Sequence, residues 1–151
     1  ITVEIPSEWV DVDGSPWVSD GQVIGAQIKA AVSLDDFLSF WDEPGMFFGA
    51  SDDLAELGGF IEILDIRRQE FLGPCELDGR YDYEDVLYRG KYDLFFNCGG
   101  EGGSWFLILI AIPMDDSTQF IIDLEVQIAN DADLEAVDRI LDSFEVVATL
   151  P

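Results

Sequence analysis

The chain has no histidine. A Ser-His-Asp or Cys-His nucleophile arrangement is therefore excluded, and so is a catalytic metal held by imidazole. Cysteine occurs only as Cys75 and Cys98, too few for a cysteine-only zinc site and without the C-x-x-C spacing of a redox pair. Lysine is as scarce, confined to Lys29 and Lys91. The longest apolar run, WFLILIAIPM at 105–114, is about half of the ~20 residues that a helix needs to cross a bilayer. The glycine-rich GGEGGS at 99–104 lacks the Gly-Lys-Ser/Thr continuation of a phosphate-binding loop and lies between strand-like segments. DVDG at 11–14 has a calcium-loop look, but Trp9 stands where the first ligand belongs, so a turn is expected.

Acid is what the chain has in excess. Thirty-two Asp and Glu face seven Lys and Arg, a formal net charge of −25 over 151 residues. Such a field repels phosphate backbones and anionic lipid, which argues against nucleic-acid and membrane-surface roles. A solvated surface, salt adaptation and multivalent-cation binding all remain open, and the solvated surface is the reading we carry forward. With so many acids some close carboxylate pair is unavoidable, so pairing alone says nothing about glycoside hydrolysis. Eleven Phe, four Trp and four Tyr supply core material for one domain.

The opening ITVEIPSEW alternates Ile1, Val3 and Ile5 against polar residues and stops at Pro6, as a half-buried strand would. QVIGAQIKAAV (22–32) reads as a second strand, with Gly25 permitting a bulge or a close backbone approach. SLDDFLSFW predicts a helix over 33–41 capped by Ser33, with Leu34, Phe37, Leu38 and Trp41 on one face. MFFGA (46–50) is a short buried strand. The stretch 51–69 predicts two helical pieces, 51–57 and 60–69, joined at Gly58-Gly59, with Leu54, Leu57, Ile61 and Leu64 at helical spacing; a strand at 60–66 is the alternative.

From residue 87 the pattern predicts a three-stranded antiparallel meander over 87–128. Its first strand places Tyr88, Tyr92, Leu94 and Phe96 opposite Arg89, Lys91, Asp93 and Asn97. SWFLILIAI (104–112) is apolar on both faces, as a central strand is. After the break at PMDDS (113–117), Ile122, Leu124, Val126 and Ile128 are expected inward, and Asp123, Glu125 and Gln127 outward. NDADLEAVDRILDSF then predicts a helix over 131–143 with Leu134, Val137, Leu141 and Phe144 as its buried stripe. The expected class is α+β, an α/β sandwich of antiparallel sheet and packed helices. One domain is expected over 1–147, with 148–151 starting a linker or tail. Because Ile1 already lies inside an alternating stretch, we expect a domain cut from a longer precursor.

Cys75 and Cys98 are either buried and free or joined; the even count and the acidic composition favour a disulfide, and with it an extracellular, periplasmic or cell-surface location. Joined, they close a loop whose entropy corresponds to about 3–3.5 kcal/mol. Between them GRYDYED (79–85) is the densest mixture of Arg, Tyr and carboxylate in the chain. Asp82, Glu84 and Asp85 are candidate calcium ligands, and Tyr81 and Tyr83 candidate stacking platforms. The competing structural reading pairs Arg80 with an acid and lays the tyrosines over the sheet edge. Trp17, beside Pro16 in a polar stretch, is the tryptophan most suited to a ligand.

Pro6-Ser7-Glu8-Trp9 after the first strand and Ile140-Leu141-Asp142-Ser143-Phe144 near the end resemble the PsbP-like family. That family includes an extrinsic photosystem protein, a Ran-binding nuclear import factor and bacterial envelope lipoproteins. The middle, with Cys75, the Tyr/Asp run and NCGG, is similar to domains appended to exported bacterial multidomain proteins. The resemblance implies an antiparallel sheet flanked by helices and a non-catalytic binding role. The cysteine pair departs from the photosystem and import-factor members. We therefore expect a non-enzymatic accessory domain that needs no cofactor and binds a protein partner or an adjacent domain. A small-molecule or lipid carrier, with an apolar pocket between the sheet and the 33–41 helix, is the alternative, and a calcium-dependent module the second alternative.

Overall fold

In the computed structural model, which describes residues 1–115 and 119–151, one antiparallel sheet organises the chain. Its strands are β1 (Asp11–Asp13), β2 (Pro16–Ser19), β3 (Gln22–Ala31), β4 (Gly45–Ser51), β5 (Glu76–Glu84), β6 (Tyr88–Cys98), β7 (Ser104–Pro113) and β8 (Ile121–Ile128). The order across the sheet is β1-β3-β4-β8-β7-β6-β5, with β2 also paired to β3. Among the described residues four helices accompany it: α1 (Leu34–Phe37), α2 (Asp52–Leu57), α3 (Phe60–Phe71) and α4 (Asp133–Ser143). The fold is thus α+β.

Strand β7 shows why both faces are dry. Leu107, Leu109 and Ala111 enter one core with Leu124, Val126, Met46 and Phe48, and α4 covers it with Ala136, Val137 and Ile140. Phe106, Ile108 and Ile110 enter a second core with Phe95, Ile121 and the α3 residues Ile63, Leu64 and Phe71. A strand apolar on both faces is stable only where both faces are covered. Trp9 is buried in the first core, after a turn in which its N–H donates to Pro6 O at 3.1 Å. Gly25 marks the close approach of β3 and β4: a Cβ there would stand 2.1 Å from Ala50 O.

Several sequence expectations need correction. The opening segment makes only an isolated bridge, Thr2 to Glu145, although Ile1, Val3 and Ile5 do pack on the first core. The first helix ends at Phe37 instead of Trp41; Ser33 caps it by accepting from Asp36 N at 3.3 Å, and Leu38 is exposed. The two pieces divided at Gly58-Gly59 are present, but Leu57 and Ile61 face solvent while Ile63, Leu64 and Phe71 are buried. In α4, Leu134 is exposed and Ile140 is buried, because the sheet-facing stripe runs through Ala136 and Val137. Strand β5 was not expected as a strand at all. Of the 113–117 break, residues 116 and 117 lie outside the described residues. Strand β8 is buried at every position, so Asp123, Glu125 and Gln127 do not face water. Alternation correctly places them on one face; α3 covers that face, which alternation alone does not reveal.

Candidate functional site

A single cross-strand row carries most of the chemistry on the α3 face. Register aligns Asp13, Lys29, Phe47, Glu125, Ile108, Asp93 and Arg80 across seven strands. Residues aligned in this way lie side by side on one face of the sheet. Above the row, α3 lowers two consecutive arginines. Arg67 Nε stands 3.1 Å from Asp123 Oδ2, its Nη2 contacts Glu125 Oε1, and Nη1 donates to Glu70 at 2.7 Å. Arg68 holds Asp93 through a bidentate fork of 2.8 and 2.9 Å, and Arg80 binds the same carboxylate at 2.7 and 2.9 Å.

The two acidic centres respond oppositely. Burial works against ionisation of Asp93, but the guanidinium forks of Arg80 and Arg68 outweigh it and hold its carboxyl below the usual value. For Asp123, burial and then the neighbouring Glu125 charge push the carboxyl well up, against Arg67. Glu125 is raised as well, by burial first. Asp123 Oδ1 and Arg67 Nε are buried without a hydrogen-bond partner among the described residues. One guanidinium thus serves three carboxylates, a crowded arrangement that favours keeping a proton on the buried pair.

Beside Arg67 the face opens into a groove of about 460 Å³. Lys29, Phe47, Glu125, Gln127 and Phe106 form its floor; Arg67, Glu70 and Phe71 on α3 form one wall. The opposite wall is the segment 37–41 that leaves α1, held by Gln127 Nε2, which donates to Phe40 O at 3.0 Å and Glu43 O at 2.6 Å. Trp41 packs edge-on to Phe71 and Phe106, at 6.1 and 5.9 Å between ring centres. Phe40 remains 57% exposed at the groove mouth, so a large ring faces water there.

Of the candidate ligand-binding residues, Trp17 touches a residue that lines the groove. Its ring meets Phe47 edge-on at 5.1 Å and covers Gly49, where a Cβ would come within 2.5 Å of it. It backs a floor residue without lining the groove. Tyr81 and Tyr83 belong to the other face of the edge strand β5. Tyr81 stacks on Tyr92 at 5.3 Å and donates to Asp78 at 2.6 Å; Tyr83 donates to Asp85 at 2.5 Å and leans on Phe144. The candidate calcium ligands separate: Asp82 pairs with Lys91, Glu84 is exposed opposite Arg89, and Asp85 caps a turn by accepting from Leu87 N and Tyr88 N. Among the described residues no group of three or more Cys, Asp or Glu is arranged to hold a metal ion. Cys75 and Cys98 are joined in a disulfide that ties the end of the α3 segment to the end of β6. No helix among the described residues is long and apolar enough to cross a membrane.

The Arg67 centre and the charged wall of the groove were missed in the sequence, although the carrier alternative expected a pocket between the sheet and the 33–41 segment. Their one visible signal was Arg67-Arg68 within a helix, in a chain where basic residues are rare. Comparison with protein-family models, curated proteins and solved structures finds no match, so the likeness to the PsbP-like family rests on the residues quoted for it.

Proposed function

We propose that this domain is a non-catalytic binding module of an exported or cell-surface protein, and that the groove between the sheet and residues 37–41 is where it binds. The observation that carries this reading is an aromatic-walled groove of about 460 Å³, a size suited to a small ligand, with Phe40 left exposed at its mouth. The alternative of a small-molecule carrier is thereby favoured over docking of a whole protein partner. The charged groups in its wall are committed to one another, Arg67 to Glu70 and Glu125. They give orientation and selectivity rather than an obvious nucleophile. The disulfide supports the exported location, and the PsbP-like resemblance agrees with a binding role.

Titration with tryptophol, a neutral indole alcohol, followed by backbone amide NMR shifts, tests the site. Shifts concentrated at residues 38–41, 47 and 125–127 are expected. Shifts that spread over the whole surface, or none at millimolar probe, reject the groove as the binding site.

A further inference from the structure

We propose that the groove selects a small organic cation, an amine or amidine on a flat apolar body, whose head lies against Glu125 and Glu70 and whose body lies among Phe40, Trp41 and Phe47. The inference rests on the groove being the binding site and adds the charge of its ligand. Two basic residues line it, Lys29 and Arg67. Lys29 already has Asp13 at 3.7 Å, and Arg67 already has Glu70, Asp123 and Glu125. Four carboxylates therefore answer two cations, which leaves the region two negative charges in excess when all are ionised.

Burial makes the excess costly at Asp123 and Glu125, from which water is largely shut out, whereas Glu70 and Asp13 stay in contact with solvent. Asp123 and Glu125 are both raised, so a proton supplies part of the missing positive charge when the groove is empty. A bound ammonium supplies it more completely. It adds hydrogen-bond donors toward Glu125, a carboxylate that borders the groove although it is only 8% exposed. The rings around it complement a cation with the negative faces of their π systems. An anion meets the opposite situation, since the two basic groups already face four carboxylates and the whole chain carries −25.

The test uses three probes of one shape: tryptamine, tryptophol and indole-3-propionate, titrated calorimetrically into the intact chain with its disulfide. Tryptamine is expected to bind roughly tenfold tighter than tryptophol, and indole-3-propionate more weakly than either. Glu125→Gln, checked for native circular dichroism, should cost tryptamine several-fold more affinity than it costs tryptophol, so that most of the tryptamine advantage is lost. Glu56→Gln, at an exposed site on α2, should leave all three affinities unchanged. If tryptophol and indole-3-propionate bind as well as tryptamine, the groove stands and the cation preference is overturned. If none of the three binds, both readings fall. Equal losses in the two Gln variants would assign the preference to the diffuse field of the chain, and would also overturn the proposal.

Discussion

Arg67 and Arg68 are neighbours in the chain, yet they serve strands on opposite sides of β7: Arg67 reaches Asp123 and Glu125 on β8, and Arg68 reaches Asp93 on β6. Consecutive residues on a helix diverge by about 100°. A helix laid along β7 can therefore set one guanidinium down on each side, straddling the strand. Ile63, Leu64 and Phe71 supply the apolar contact between those two anchors. The ion pairs thus position α3, and α3 in turn supplies one wall of the groove.

The Asp93 anchor has a measurable weight. Asp93→Asn leaves Arg68 and Arg80 facing each other over a neutral group in a site where Asp93 is wholly buried. A loss of about 3–5 kcal/mol in urea unfolding is expected, the usual cost of removing one partner from a buried ion pair. Asp65→Asn removes the exposed second partner of Arg80 and is expected to cost under about 1 kcal/mol. Equal costs for the two variants would show that Asp93 is not an anchor.

The two buried acidic centres predict opposite pH slopes. Asp123 keeps its proton in the folded chain above its ordinary value of 3.8, so the folded state binds more protons than the unfolded one in the interval between them. Its contribution is complete below 3.8 and is lost as pH rises through the raised folded value. Asp93 is the reverse: its contribution is present above 3.8 and is lost as pH falls through the lowered folded value. Unfolding midpoints of the wild type and Asp123→Asn should therefore converge at low pH and separate as pH rises, with the variant gaining on the wild type. Parallel profiles would show that Asp123 is not held protonated.

Much of the framework was legible in the residues. The double-faced apolarity of 104–112 marks an interior strand, Gly58-Gly59 divides two helices, and Gly25 marks a close backbone approach. A pocket beside the 33–41 segment was among the expectations, but the charges that line it were not legible, for two physical reasons. Period-two alternation assigns Asp123 and Glu125 to one face without saying whether a helix covers it. Helix α3 carries polar residues on its buried side, so Arg67 and Arg68 break the apolar stripe that would have revealed its orientation. Strand β5 was hidden because an edge strand rich in charge carries little of the hydrophobic pattern by which strands are recognised.

The disulfide predicts a change in stability at little cost to the fold. Replacing Cys75 and Cys98 together by Ala should reduce unfolding free energy by about 3 kcal/mol, chiefly through the freer unfolded chain. Both sulfurs belong to the second core, packed near Phe71 and Phe95, and the 37–41 wall lies on the same side. Circular dichroism should remain native, and tryptophol should still shift the amides of 38–41. Loss of that response in a folded double variant would show that the cross-link shapes the groove as well as stapling the chain.

Two glycines separate steric need from chain freedom. At Gly25 an added Cβ would stand 2.1 Å from Ala50 O, whereas at Gly14 nothing lies within 4 Å. Gly25→Ala must push β3 away from β4, and a loss of at least about 1–3 kcal/mol is expected, as for other overpacked sites. Gly14→Ala should be neutral or stabilising by up to about 1 kcal/mol, because it only restricts the unfolded chain. The comparison also reaches the site. Strand β4 carries Phe47 between Lys29 and Glu125, so displacing it disturbs the groove floor. Tryptophol affinity should therefore fall in folded Gly25→Ala and hold in Gly14→Ala. Unchanged affinity in both would mean that Phe47 does not set the shape of the groove.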